Sequence, residues 1–147
     1  MYKHILVAID GSETAQHALK AAIRLAKVQQ SELLIVHVIN EISMSLPEGG
    51  YVPDIQEAFR ESGREILRQA ESDAREDGVT AETILLEIDK FGQNAADMIV
   101  TEADNRGADL IVIGSHGRRG IRRLLLGSIA ESVMRIASSP VLLIRGE

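Results

Sequence analysis

The sequence predicts an α/β fold built on a five-stranded parallel sheet with helices on both faces. Three observations predict it. Five short runs rich in Ile, Leu and Val punctuate the chain, and most are near-continuous rather than alternating, as strands buried on both faces are. Segments with apolar residues at helical spacing lie between the runs. The two kinds alternate as β-α-β-α-β-α-β-α-β, the order of a parallel sheet with right-handed crossovers. The pattern by itself leaves the strand order open.

The elements follow in order. Ile5–Ile9 is the first strand, and Ala15, Ala18, Leu19, Ala22 and Ala26 stripe the first helix. Leu33–Ile39 is the second strand. The one long connection, EISMSLPEGGYVP at 41–53, has two prolines and two glycines and reads as a loop. A longer, weaker stripe follows at Ile55, Phe59, Ile66 and Ala70, with Gly78 placed for a left-handed C-terminal cap. Ile84–Ile88 is the third strand. Ala96, Ile99, Val100 and Ala103 stripe the third helix, and Gly107 is placed to cap it. Leu110–Ile113 is the fourth strand. Ser128 with Glu131 reads as a capping box opening a helix striped by Ala130, Val133, Met134 and Ala137. Pro140 stops that helix and Val141–Ile144 is the last strand.

Length and composition narrow the function. A chain of 147 residues is most simply one domain, 1–147, large enough for a core without staples. Cysteine is absent, which removes disulfides, thiolate nucleophiles and cysteine-held metals and fits a reducing compartment. The apolar start is too short for a signal peptide or a membrane span, so the expectation is a cytoplasmic protein without membrane insertion. A net charge of −6 argues against nucleic acid as a partner.

One stretch runs against that charge. GSHGRRGIRRLLLGS, residues 114–128, carries four glycines and four arginines directly after the fourth strand. Glycines let backbone N–H groups approach an oxyanion, and a helix start offers unpaired donors. The arginines add formal charge. A phosphorylated small molecule is the natural ligand. Open parallel sheets bind ligands beyond the carboxyl ends of their strands, which brings in Asp10, Gly11 and Ser12 after the first strand. Neither a P-loop nor a dinucleotide fingerprint fits: Arg119 stands where the P-loop's second glycine belongs, and DGSET after the first strand has one glycine.

Gly114-x2-Gly117, nine residues, then Gly127-Ser128 resembles the G-2x-G-9x-G-(S/T) motif of the ATP-binding branch of the universal stress protein family. ILVAIDGSETAQHAL at the start and ADLIVIGSHGRRGIRRLLLGSIAESVMRIASSPVLLI at the end are similar to that family too, so the resemblance spans nearly the whole chain. It implies a doubly wound sheet of order 3-2-1-4-5 and a ligand, ATP with Mg²⁺. Carried over residue by residue, it puts Asp10 on adenine or ribose, the Val38 backbone on adenine and Ile113 against the nucleoside. Gly114, His116 and Gly117 would wrap the phosphates, and Gly127, Ser128 and Ile129 would hold phosphate and ribose. Ala8 stands where some relatives carry proline. The resemblance also implies a homodimer through the last strand, Val141, Leu142, Leu143 and Ile144, an apolar edge that is itself a pairing template.

Plainer readings stand beside these. Asp10 can simply orient its turn, Ser128 can simply cap a helix, and Gly114 and Gly117 can be turn glycines. The arginines can clamp phosphate, meet a partner or face solvent, while His37 reads as structural. No histidine pair has metal-ligand spacing. Asp10, Ser115 and His116 do not read as a triad, because adjacent Ser and His side chains rarely aim at each other. At the level of function, the leading reading is an ATP-binding stress-response or signalling module that acts through its bound state. A slow ATPase comes second, since no dedicated general base stands out near the phosphates. A non-nucleotide interaction protein of the same fold comes third.

Overall fold

The computed structural model describes residues 1–40, 53–90, 92–116 and 126–146. Its strands are β1 (His4–Ala8), β2 (Glu32–Asn40), β3 (Ala81–Ile88), β4 (Leu110–Gly114) and β5 (Val141–Ile144). Its helices are α1 (Glu13–Gln29), α2 (Pro53–Glu76), α3 (Ala95–Arg106) and α4 (Ser128–Ile136). All strand pairs are parallel, in the order β3-β2-β1-β4-β5. The direction of winding reverses between β1 and β4. Much of the 41–53 connection lies outside the described residues.

Alternate side chains of the sheet feed two cores. Ile5, Val7, Leu33, Ile35 and Val112 pack beneath α1 and α2, while Leu6, Ala8, Leu34, Val36, Ile111 and Ile113 pack against α3 and α4. Each fully buried Leu or Ile contributes about 1.5–3 kcal/mol. The α1 stripe is buried as expected, from Ala15 to Ala26. The buried face of α2 runs instead through Leu67, Ala70 and Ala74, and Ile55 and Phe59 remain partly exposed. On α4, Ala130 and Val133 are buried, but Met134 is 48% exposed. A helix of nine residues has room for only two turns of core contact.

Helix ends show the expected chemistry with one correction. Gly107 is the left-handed C-cap of α3, and Gly78 turns the chain after α2 with φ 78°. Ser12 and Asn94 cap α1 and α3 through their side chains. The capping box at Ser128 and Glu131 does not form. The chain is already extended at Gly127, which is the N-cap and has no side-chain cap bond. Ser128 is therefore the first helical residue, and Glu131 lies one position beyond a capping partner's place. Its N–H instead donates to the Gly127 carbonyl at 2.9 Å.

β3 begins three residues before its apolar run, at Ala81, because it lies at the sheet edge and pairs only with β2. At the same, amino end of the strands, Asp109 ties β4 to β1. Its carboxylate accepts from the backbone N–H groups of Lys3 at 2.9 Å and His4 at 3.1 Å. Burial pushes this carboxyl up, but those bonds together outweigh it and hold Asp109 below the usual carboxylate range.

Candidate functional site

The reversal between β1 and β4 opens a crevice at their carboxyl ends. Register fixes what meets there. Ala8 pairs with Ile113 on one side and with Val36 on the other. Asp10 therefore leaves β1 level with the end of β4. Val38 lies two residues beyond Val36, on the face shared with Ile113, and is half-buried. Asp10, Val38, Ile113 and Gly114 thus converge on one end of the sheet.

The loop after β1 is built by local bonds. The Asp10 carboxylate accepts from Ser12 N–H at 2.9 Å, and Gly11 between them takes φ 83°, which favours glycine. Ser12 Oγ then accepts from Ala15 N–H at 3.1 Å to start α1. The turn-orienting role of Asp10 is thereby real. His37 is structural: it is buried, and its Nδ1 lies 2.8 Å from the Ile9 carbonyl. A carbonyl can only accept, so Nδ1 carries the proton.

After β4 the chain is pinned at both ends of the glycine-rich stretch. Ser115 N–H donates to the Ile144 carbonyl at 2.7 Å, and Gly127 N–H donates to the Ser115 carbonyl at 2.6 Å. The start of α4 is thus held directly against the end of β4. Ser128 and Ile129 are exposed there, with Gly127 half-buried. Gly117 and the four arginines lie outside the described residues.

Gly114 is strand, not turn, and has a packing reason to be glycine. A Cβ there would meet Thr14 Cγ2 at 2.8 Å. Adjacent Ser115 and His116 do meet, contrary to expectation, with Ser115 Oγ 3.1 Å from Nδ1. The other ring nitrogen, Nε2, is 3.1 Å from Thr14 Oγ1 rather than from a carboxylate. Thr14 is buried in the first turn of α1. Neither Thr14 nor Gly146, which packs against it, stands out in the sequence. Only the nearby glycines and the polar start of α1 hint at them.

Among the described residues, a cleft of 720 Å³ lies at the other end of the sheet, along Ile5, Lys27, Gln30, Glu32, Glu82 and Arg106. It sits at the amino ends of the strands. Its charged walls are paired internally, His4 with Glu32 at 3.1 Å and Arg106 with Glu82 at 2.9 Å. The carboxyl end has the better geometry for an anion.

The family model for the Universal stress protein family matches residues 1–145. The chain belongs to this family. It is 40% identical to Universal stress protein YxiE of Bacillus subtilis, covering 99% of this chain and 100% of that protein. Two solved structures share the fold. The structure of MJ0577 from Methanocaldococcus jannaschii has 28% identity and a TM-score of 0.85, covering 100% of this chain and 98% of that one. The universal stress protein from Archaeoglobus fulgidus in complex with dAMP has 31% identity and a TM-score of 0.69, covering 98% of each chain. The order 3-2-1-4-5 expected from the resemblance is thus the order of this universal stress protein fold.

Proposed function

We propose that this universal stress protein binds an adenine nucleotide, ATP with Mg²⁺, at the carboxyl ends of β1 and β4, and acts in stress response or signalling through its bound state. The carrying observation is the start of α4. Held against Ser115, it is the one described helix start of α1, α3 and α4 that lacks a side-chain cap. Its first-turn N–H groups suit a phosphate. The dAMP complex of the Archaeoglobus fulgidus relative supports the adenine nucleotide class.

Roles follow the register. Asp10, which leaves β1 level with the end of β4, takes adenine or ribose. The Val38 backbone and the Ile113 side chain take the base and nucleoside. In this reading Gly114 and Gly117 take the phosphates with His116 beside them, and Gly127, Ser128 and Ile129 take phosphate and ribose. Among the described residues no group of three His, Asp or Glu side chains could hold a metal ion. Mg²⁺ therefore depends on the phosphates for most of its ligands.

The proposal includes a cytoplasmic homodimer joined through β5. Among the described residues no helix is long and apolar enough to cross a membrane. The two sheet edges differ. β3 carries Glu82 and Glu87, ion-paired to Arg106 and Arg60, whereas β5 is VLLI, wholly aliphatic and half-buried. Charge protects the first edge, and the second invites pairing.

Mass analysis of ligand released from protein purified without added nucleotide tests the reading directly. A thermal series follows it. A ligand that binds only the folded state, at about 100 times its dissociation constant, contributes about 2.7 kcal/mol. For a chain of this size that raises Tm by about 5–10 °C. The shift is expected to shrink from ATP to adenosine and with added salt. No released nucleotide and no shift with millimolar ATP would favour the interaction-protein reading.

A further inference from the structure

We propose that Thr14, His116 and Gly146 form a clasp that fixes the end of β4, and with it the start of α4, at the nucleotide phosphates, and that His116 is a positioning residue rather than a phosphate ligand. The proposal deepens the nucleotide reading above and rests on it. Its observation is that both ring nitrogens of His116 are taken. Nδ1 faces Ser115 Oγ and Nε2 faces Thr14 Oγ1, each at 3.1 Å. A hydroxyl can donate or accept, so both bonds survive in either tautomer. A phosphate oxygen only accepts, so the ring could reach it only by giving up one of these partners.

The third member is Gly146. A Cβ built there would overlap Thr14 Oγ1 and reach His116 Cε1 at 3.4 Å. The backbone after β5 therefore closes over the same hydroxyl that holds the ring. Thr14 is 4% exposed, and its Oγ1 is accounted for by the ring. Three segments far apart in sequence are thus fixed at one point: the first turn of α1, the residue leaving β4, and the residue two past β5. Gly127 N–H on the Ser115 carbonyl ties the start of α4 to the same place. With the end of β4 and the start of α4 set before a ligand arrives, less ordering remains to be done on binding. Loss of the Thr14 hydroxyl or crowding at Gly146 then weakens phosphate recognition and leaves the nucleoside part alone.

The test is calorimetry on the full chain with ATP and Mg²⁺, and separately with adenosine. Thr14→Val keeps the shape and removes the hydroxyl. It is expected to weaken ATP about tenfold and to leave adenosine within about twofold, a split that a merely structural role does not produce. Gly146→Ala is expected to do the same. Thr14→Ala with Gly146→Ala should bind ATP no more weakly than Thr14→Ala alone, because the overlapped atom is gone. Gly146→Ala carries the test if Thr14→Val fails to fold. ATP affinity at the wild-type level in both single variants overturns the clasp, as does an equal loss for ATP and adenosine. A wild-type chain that binds neither ligand overturns the nucleotide reading itself, and the clasp's role with it.

Discussion

Gly114→Ala separates two reasons for a glycine that the motif alone runs together. The added Cβ meets Thr14 Cγ2 at 2.8 Å and the Thr14 backbone carbon and oxygen at 3.4 Å. The methyl contact must move, and Thr14 is buried, with little room to turn. Overpacking of this kind costs about 1–3 kcal/mol. Alanine returns about 0.4–1 kcal/mol by stiffening the unfolded chain, since Gly114 is not at positive φ. The net loss is about 1–2 kcal/mol, or about 2–8 °C in Tm. Thr14→Ser removes the clashing methyl and keeps the hydroxyl on His116, at a cost of about 1 kcal/mol for the lost group. The double variant should be more stable than the sum of the two single changes by about 1 kcal/mol. The assay is thermal and urea unfolding of all four proteins without nucleotide. Strict additivity, or an unchanged Gly114→Ala, would refute the packing argument and leave the ligand as the reason for glycine.

Three further outcomes are expected. Gly117→Val should weaken ATP at least tenfold by blocking backbone approach to phosphate; native circular dichroism with unchanged calorimetric affinity would count against that placement. Sedimentation at micromolar concentration should give a dimer; a monomer would remove the β5 interface. Asp109 has a folded pKa held below its unfolded value, so its contribution is present above the ordinary carboxylate range and lost as pH falls through the folded value. Asp109→Asn should therefore lower Tm at neutral pH and lose less than the wild type on acidification, and parallel acid limbs for the two proteins would contradict this.

The strands were legible because burial on both faces writes itself as apolar residues, while their order came only from the family resemblance. Ile5, Leu33 and Leu110 announce the three central strands. Edge positions are quieter: Ala81, Glu82 and Thr83 pair with β2 yet show no apolar run. Gly63 tells the same story inside α2. A Cβ there would press on Leu85, His37 and Ile39, so the helix lies close to the sheet at a point no periodicity marks. At the carboxyl ends of β1 and β4, Asp10 was legible from its place after the first strand and Gly114 from the motif, but Thr14 and Gly146 were not. Their importance is a matter of tertiary approach, and it exists only once the start of α1 and the end of β5 are brought to His116. The Ser128–Glu131 box failed for a local reason. Ser-x-x-Glu spacing marks a helix start only to within a residue, and extended Gly127 took the cap.

The polarity of the sheet decides between its two ends. At the amino ends of the strands the helices finish. α1 stops at Gln30 with φ 57°, α2 turns at Gly78 and α3 at Gly107, and their final carbonyls are taken by cap and turn N–H groups. Helix C-termini favour cations. Arg106 there is already opposite Glu82, and His4 lies 3.1 Å from Glu32. At the carboxyl ends α1, α3 and α4 begin, so partial positive charge gathers on that side. α1 and α3 cover part of it with Ser12 and Asn94. α4 does not, and the backbone bond from Gly127 to Ser115 holds it at the strand reversal. The winding therefore favours an anion at β1 and β4 over the cleft at the other end. On the proposed reading the sign of the ligand follows from parallel winding, and Asp10 and Ile113 are the residues proposed for its uncharged part.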